Sequence, residues 1–391
     1  MVKNELAEEI GSKLCQNAEW KDDRCNWHKI DKASKQLAPL GPDLYSGGSG
    51  IALFLAELAH GTTDVKDAGK TALGAIKNSL YQAERSQIGL GLYTGLFGIA
   101  IAAVRIASIL DEPHLLARAK RLLPTYSIKD TFEPDIISGK AGMLVAALVL
   151  RPGLNETWLL KFVRQMGDYL IRSAEKSRIG WSWKLRAMSF PRNLTGFSHG
   201  AAGIAYALLE LFQATGDQKY EAAAAQAFRY ERHWFNERLG NWPDLRYEIN
   251  QNQFMCSWCH GAPGIALSRL RAYEILKAEA CRDEALIGLK TTRLKVEEQL
   301  SDAKAKMSLC CGLAGRSEIL SEGDSILKRS NLNPKTADRV RAALDGYCSG
   351  RGRLNSDPGL MQGLAGVGYF CLRLQDHTHP SVLLLRTPHT S

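Results

Sequence analysis

Residues 51–59, 99–107, 143–150 and 204–212 are apolar on nearly every face, and alanine is frequent among them. A helix that is hydrophobic all round belongs inside a protein. The stretches between them are amphipathic instead. In 157–174, Leu159, Phe162, Val163, Met166 and Leu170 form one helical stripe opposite Lys161, Arg164, Asp168 and Arg172. That is the spacing of a surface helix with one buried face. Residues 220–234, 284–300 and 334–343 read the same way. The pattern predicts inner and outer helices in alternation.

A Gly-x-x-Gly pair followed by small or apolar residues introduces the inner stretches. It occurs at Gly47/Gly50, Gly95/Gly98, Gly139/Gly142, Gly200/Gly203, Gly261/Gly264, Gly312/Gly315 and Gly363/Gly366, with first glycines 48, 44, 61, 61, 51 and 51 residues apart. One such pair means little, but seven at near-regular spacing define a repeat of about 50 residues. Glycine lets backbones approach where a Cβ would clash. The unit is a surface helix, a loop, a glycine turn and a buried helix. It predicts an all-α fold, an α/α toroid (double helical barrel) in which outer helices surround inner ones. An open solenoid shares the repeat. Closure is favoured because the inner stretches are apolar all round and a ring needs no polar end caps. Residues 1–391 then form a single domain of seven repeats.

Composition narrows the picture further. Of 391 residues, 45% are hydrophobic and 23% charged, which excludes wholesale disorder. No apolar run approaches the ~18 residues of a membrane span, and with Lys3, Glu5, Glu8 and Glu9 in place of an apolar run, no signal peptide is expected. The nine cysteines are an odd number without a secretion signal, so reduced thiols in a cytoplasm are expected. The net charge of +9 is dispersed among acidic residues, without the clustered basic stripe that nucleic acid requires.

Turns at the ends of inner helices converge on one mouth of a ring, so polar residues beside the glycine pairs are candidates for chemistry. Three turns stand out: Phe197-Ser198-His199-Gly200, Ser257-Trp258-Cys259-His260-Gly261 and Leu309-Cys310-Cys311-Gly312. Thiolates of Cys259, Cys310 and Cys311, delivered from neighbouring turns, suit one Zn²⁺ ion, and three ligands with one open position is the plan of a catalytic centre. Two readings compete with this one. The thiols could be buried small hydrophobes, or Cys256 could complete a closed four-sulfur structural site. His260 could ligate, or orient a ligand through a hydrogen bond. Tyr45, Tyr93, Trp181, Trp183, Phe197 and Trp258 lie near the motifs and could line a peptide-binding mouth.

The seven glycine turns, Trp258-Cys259-His260-Gly261, Cys310-Cys311-Gly312 and Ser198-His199-Gly200 together resemble the lanthionine synthetase C-like (LanC-like) cyclases over essentially the whole chain. The stretch 363–385 and the region of Arg24-Cys25-Asn26-Trp27 resemble the C-terminal cyclase part of class II lanthipeptide synthetases (LanM type). Nothing resembles the dehydratase that usually precedes it, so a cyclase domain alone is expected.

The resemblance implies a zinc-dependent enzyme that adds peptide Cys thiolates to dehydroalanine or dehydrobutyrine, closing lanthionine and methyllanthionine rings. Its partner would be a dehydrated precursor peptide of leader plus core. It carries the zinc ligands over to Cys259, Cys310 and Cys311. The commoner family form has His where Cys311 stands, so this chain falls in the Cys-Cys-Gly subgroup. The family's proton-transfer histidine carries over to His199 and an aspartate to Asp135. Some members have a basic residue about one turn before the first ligand; here that place holds Met255. Alternatives are a LanC-like enzyme forming glutathione adducts, and a non-catalytic peptide-binding toroid with a structural zinc. A prenyltransferase-type ring wants an Asp/Cys/His ligand set. A toroidal glycosidase wants paired carboxylates, and only Asp135 is acidic beside the motifs.

Overall fold

The computed structural model describes residues 4–30, 34–61, 64–123, 133–248, 253–302, 304–349 and 357–385. Fourteen helices form among them. The first seven are α1 (Glu5–Gln16), α2 (Gly48–Gly61), α3 (Ala68–Ala83), α4 (Leu96–Leu110), α5 (His114–Leu122), α6 (Lys140–Leu154) and α7 (Trp158–Ser173). The rest are α8 (Ala201–Thr215), α9 (Gln218–Trp234), α10 (Ala262–Leu276), α11 (Glu279–Gln299), α12 (Leu313–Leu327), α13 (Pro334–Ser349) and α14 (Leu364–Gln375). Three two-stranded antiparallel hairpins decorate them: β1 (Glu19–Lys21) with β2 (Arg24–Asn26), β3 (His28–Ile30) with β4 (Leu37–Pro39), and β5 (Glu175–Ser177) with β6 (Gly180–Ser182).

Every even-numbered helix starts at a glycine pair and is an inner helix. Each packs on the next even-numbered one, and α14 packs on α2, so the inner helices close a ring. The odd-numbered helices from α3 to α13 lie outside, each against the inner helix that precedes it. The outer partner of α14 comes from the other end of the chain: it is α1. The fold is therefore the expected toroid, and the open solenoid is excluded by the contact between α14 and α2. The apolar stretches of the sequence fall in α2, α4, α6 and α8, whose buried residues cover all faces. The amphipathic ones fall in α7, α9, α11 and α13, of which α11 begins five residues before the expected 284 and α13 runs six beyond 343.

The turns themselves are stitched into a circle by main-chain hydrogen bonds. Tyr45 N–H donates to Tyr93 O (2.9 Å), Tyr93 to Ile137 (2.9 Å), Ile136 to Ser198 (3.2 Å) and Ser198 to Cys259 (3.2 Å). Trp258 N–H then donates to Cys310 O (3.1 Å), Cys310 to Met361 (2.9 Å), and Met361 back to Tyr45 (2.8 Å). Each buried turn thereby satisfies backbone groups that water cannot reach.

Glycine is required here by space. Gly95, Gly139, Gly200, Gly312 and Gly363 hold φ between −142° and −105°, extended backbone open to any residue. A Cβ on Gly264, however, would sit 2.0 Å from the Trp258 carbonyl oxygen and 2.8 Å from Phe197 Cβ. Gly261 adds a conformational demand, with φ of +86°.

The C-terminal stretch 380–385 folds back into the ring. Val382, Leu383 and Leu384 are buried, and their carbonyls accept from Tyr93 Oη (2.7 Å), Trp258 Nε1 (3.3 Å) and Tyr206 Oη (2.5 Å) respectively. Ser381 Oγ donates to Glu318 Oε1 (2.9 Å) and His379 Nδ1 meets Glu57 Oε2 (2.8 Å). These donors and acceptors belong to α2, α8, α12 and the turns before α4 and α10, so the stretch runs inside the ring of inner helices. Glu57 is fully buried and also receives Arg105 through Nε (2.6 Å) and Nη2 (3.1 Å).

Two expectations follow from this packing. Gly264→Ala lowers stability by at least ~1–3 kcal/mol, whereas Gly346→Ala, on an exposed stretch of α13 with nothing near its Cβ, is neutral or stabilising by up to about 1 kcal/mol. Thermal melts of the two variants check the contrast. Burial pushes the Glu57 carboxyl up, but hydrogen bonds from His379 and Arg105 outweigh it and hold the group below its ordinary 4.5. Its contribution is therefore present above the unfolded-state value and is lost as pH falls through the lower folded one. Melts repeated between pH 6 and pH 3 should show an acid loss in the wild type that Glu57→Gln lacks, the variant being already less stable at pH 6.

Candidate active site

The circle of turn backbones fixes where chemistry can be placed. The second residue before each first glycine is Tyr45, Tyr93, Ile137, Ser198, Cys259, Cys310 and Met361 in order round the ring, and the residue immediately before is Ser46, Thr94, Ser138, His199, His260, Cys311 and Gln362. Functional side chains are concentrated in the fourth to seventh turns of this common frame.

Cys259, Cys310 and Cys311 are brought together. Cys310 is buried and within hydrogen-bonding reach of both other thiols. As the shared donor it is held well above 9, while hydrogen bonds from it lower Cys259 to about 7 and Cys311 to about 5. Two hydroxyls join them: Ser257 Oγ stands 3.2 Å from Cys259 Sγ, and Ser308 Oγ 3.7 Å from Cys311 Sγ. Gln362 Oε1 is 3.8 Å from Cys311 Sγ, and its Nε2 donates to Tyr45 Oη (2.9 Å), whose hydroxyl reaches Cys310. Tyr45, from the first turn, and Gln362, from the seventh, thus close the cluster across the seam of the ring.

His199 stands on the adjoining turn, where the N–H and Oγ of Ser198 both donate to the Cys259 carbonyl at 3.2 Å. Its Nδ1 is 2.6 Å from Oδ2 of Asp135, a carboxylate only 1% exposed, while 26% of the His199 side chain remains open to solvent. Asp135 has a second duty. Its Oδ1 accepts the Ser138 N–H (2.9 Å), as Asp43 does for Ser46 N–H (2.8 Å) in the first turn. Capping the turn recurs without any histidine. The contact with His199 is the part particular to Asp135.

His260 is buried, and desolvation lowers its pKa to about 3, with the Arg246 charge adding to the effect. Its ring lies 6.3 Å from that of His199. Arg246 comes from the segment before the fifth turn. It chelates Asp244 through Nε (2.9 Å) and Nη2 (2.6 Å), stands 2.9 Å from Met255 Sδ, and its charge acts on Cys259. A cation therefore acts on the first thiol although position 255, one turn before it, holds methionine. Nothing in the spacing pointed to Arg246, because it lies nine residues before Met255 in the sequence and meets its sulfur only in the folded protein.

The groups acting on Cys256 differ from those of the three thiols: burial raises its pKa, and the charges that act on it are Arg316, Lys295 and Glu298. Tyr93, Phe197, Trp258 and Trp183 are buried, so packing and support of the C-terminal stretch occupy them. Of the six aromatic residues considered for the mouth, only Tyr45 and Trp181 retain partial exposure.

The donor set suits a thiophilic cation: three thiols from two adjacent turns, with a cationic side chain near one of them. The side chains stand as a hydrogen-bonded set, and among the described residues no group of three His, Cys, Asp or Glu side chains is already spaced to enclose an ion.

An α/α ring with a thiol cluster and a His–Asp pair at one mouth defines the class of protein. The family model for lanthionine synthetase C-like proteins matches residues 38–384, and the chain belongs to that family. Over 375 residues it is 24% identical to the lacticin 481/lactococcin biosynthesis protein of Lactococcus lactis subsp. lactis, covering 90% of this chain and 38% of that one. Over 357 residues it is 23% identical to the glutathione S-transferase LANCL1 of Danio rerio, covering 87% and 84%. The chain thus spans well under half the length of the Lactococcus relative. Among solved structures, nisin cyclase superposes with a TM-score of 0.66 at 19% identity over 88% of this chain and 92% of its own. A family 76 α-mannanase of Bacteroides thetaiotaomicron superposes with a TM-score of 0.55 at 11% identity over 96% and 95%. These likenesses establish the helical toroid. Among the described residues, no helix is long and apolar enough to cross a membrane.

Thiol reactivity tests the cluster directly. In metal-stripped protein at neutral pH, iodoacetamide is expected to label Cys311 first and Cys259 next, with Cys310 and Cys256 last, as read by peptide mass spectrometry. Prior labelling of Cys310 would contradict the hydrogen-bonded order.

Proposed function

We propose that this chain is a zinc-dependent lanthipeptide cyclase, with Cys259, Cys310 and Cys311 as the ligands and His199 as the proton-transfer group. The observation that carries this reading is that three thiols and a His–Asp pair stand on adjoining turns of a LanC-like ring. When bound, zinc would favour the thiolate form of a coordinating substrate thiol near neutral pH.

The chain's own residues account for the remainder. The substrate sulfur forms a bond to the β-carbon of dehydroalanine or dehydrobutyrine, and the alkene electron pair moves toward the carbonyl to give an enolate. A proton must then reach the α-carbon. The partly exposed His199 can accept the thiol proton and return one at its free ring nitrogen, because Asp135 occupies Nδ1 and stabilises the imidazolium. His260, buried and easily kept neutral, supports the turn instead. Holding a tethered thiol and alkene together supplies a further part of the rate. The partner is a dehydrated precursor peptide, and a dehydratase, in the same chain or a separate one, must supply it. A cytoplasmic setting suits nine free thiols.

A second reading is glutathione addition to a dehydroamino acid, supported by the similarity to a relative whose name is glutathione S-transferase. One assay separates the two. A dehydrated peptide with an internal cysteine is incubated with protein and zinc, and its free thiols are counted by alkylation and mass spectrometry. A second peptide without cysteine is incubated with glutathione. The cyclase predicts thiol loss in the first and slow adduct formation in the second. Thiol loss no faster than without protein would overturn the proposal.

Two variants sharpen the test. Cys310→Ala is expected to remain folded but to lose zinc, measured by elemental analysis, together with ring closure. His199→Asn is expected to keep zinc and to close rings about 10²–10⁴-fold more slowly.

A further inference from the structure

The two longest repeats flank Gly200, each 61 residues against 44 to 51 for the others. In the first of them the additional chain forms the β5–β6 hairpin and the segment 183–195, between α7 and α8. With Tyr230 and Trp234 of α9, these elements wall a groove of about 530 Å³.

Its wall is basic and aromatic. Lys176, Lys184 and Arg192 line it. Lys176 Nζ lies 4.4 Å from the Trp181 ring centre, and Arg192 Cζ 5.3 Å from that of Trp234. Among the described residues no carboxylate forms an ion pair with any of the three. The one carboxylate of the wall, Glu175, is engaged by Asn193 Nδ2 at 2.8 Å.

The groove is also tied to the reaction site. Glu133 accepts the main-chain N–H groups of Arg186 (2.9 Å) and Ala187 (2.7 Å), two residues before Asp135. The same segment runs on through Gly196, anchored on Glu231 Oε1 (3.0 Å), to His199. A peptide held in the groove would therefore be held on the loop that carries the proton-transfer histidine.

We propose that this groove binds an acidic stretch of the peptide substrate, carboxylates meeting Lys176, Lys184 and Arg192 while Trp234 and Phe190 cover its apolar side chains. The proposal rests on the peptide-cyclase reading above and says where the peptide is gripped. Unpaired cations beside aromatic rings select carboxylate-bearing segments and speed their encounter, in a salt-sensitive way.

The test measures binding without turnover, so its failure leaves the ring-closing chemistry standing, and failure of that chemistry leaves the binding result readable. The probe is a fluorescein-labelled synthetic peptide of alternating Glu and Leu, with a Gln-for-Glu copy, read by anisotropy on the full chain. The wild type is expected to prefer the acidic copy by about tenfold or more at low salt, the preference shrinking with added NaCl. The K176E/K184E/R192E protein is expected to lose that preference, and the neutral K176Q/K184Q/R192Q protein to lose most of it. The K66E/K290E/R329E protein, with the same change in net charge on exposed positions elsewhere, should keep it. Preference persisting in both groove variants, or lost equally in the distant one, would overturn the proposal. So would tighter binding of a short oligothymidylate than of the acidic peptide.

Discussion

Seven turn backbones donate to one another in a closed circle, and the rest of the molecule depends on how closely they approach. Each link between adjacent turns needs the chain to pass within a carbonyl's reach of the helix that follows, which excludes a Cβ at the second glycine of every pair. Given those contacts, the inner helices point the same way, their N-termini share one mouth, and the outer helices cover what remains apolar. The circle also has no free end to fray. Met361 and Tyr45 join its last turn to its first, and α1 supplies the outer helix that the seventh repeat would otherwise lack.

The same circle explains how a reactive cluster can be precise on what are formally loops. Cys259 and Cys310 are themselves members of it, through the Cys259 carbonyl and both main-chain groups of Cys310. His199 follows another member, Ser198. Their positions are set by the fold's own closure, so only side-chain identity varies from turn to turn. Beneath them, Trp258 stands between two tasks: its main chain donates to Cys310, and its indole holds the C-terminal stretch through Leu383. Support from below and linkage at the rim meet in one residue beside the first thiol.

Much of this was legible in the sequence because glycine pairs and apolar helices report local requirements. The seven turns, the inner helices α2 to α8 and the amphipathic α7 needed no tertiary information. Cys259, Cys310, Cys311 and His199 were legible as candidates because they stand one or two residues before a glycine pair, whereas Asp135 was reached only through the family resemblance. What escaped depends on distant parts of the chain meeting. Tyr45 and Gln362 join the thiols only when the ring closes, the charge of Arg246 acts on Cys259 from outside the turn motif, and stretch 380–385 looks like an ordinary apolar tail until Tyr93, Tyr206 and Trp258 claim its carbonyls. Buried tryptophans near a motif were equally ambiguous, since packing and peptide contact call for the same residue types.

A three-thiol centre that keeps one position open is the claim on which the functional account turns, and X-ray absorption at the zinc edge of the loaded protein tests it most directly. The account predicts three sulfur neighbours and one lighter atom, with the light atom replaced by a fourth sulfur when a cysteine-containing peptide is added. Four sulfurs in the protein alone, or a zinc signal unchanged in Cys310→Ala, would contradict it.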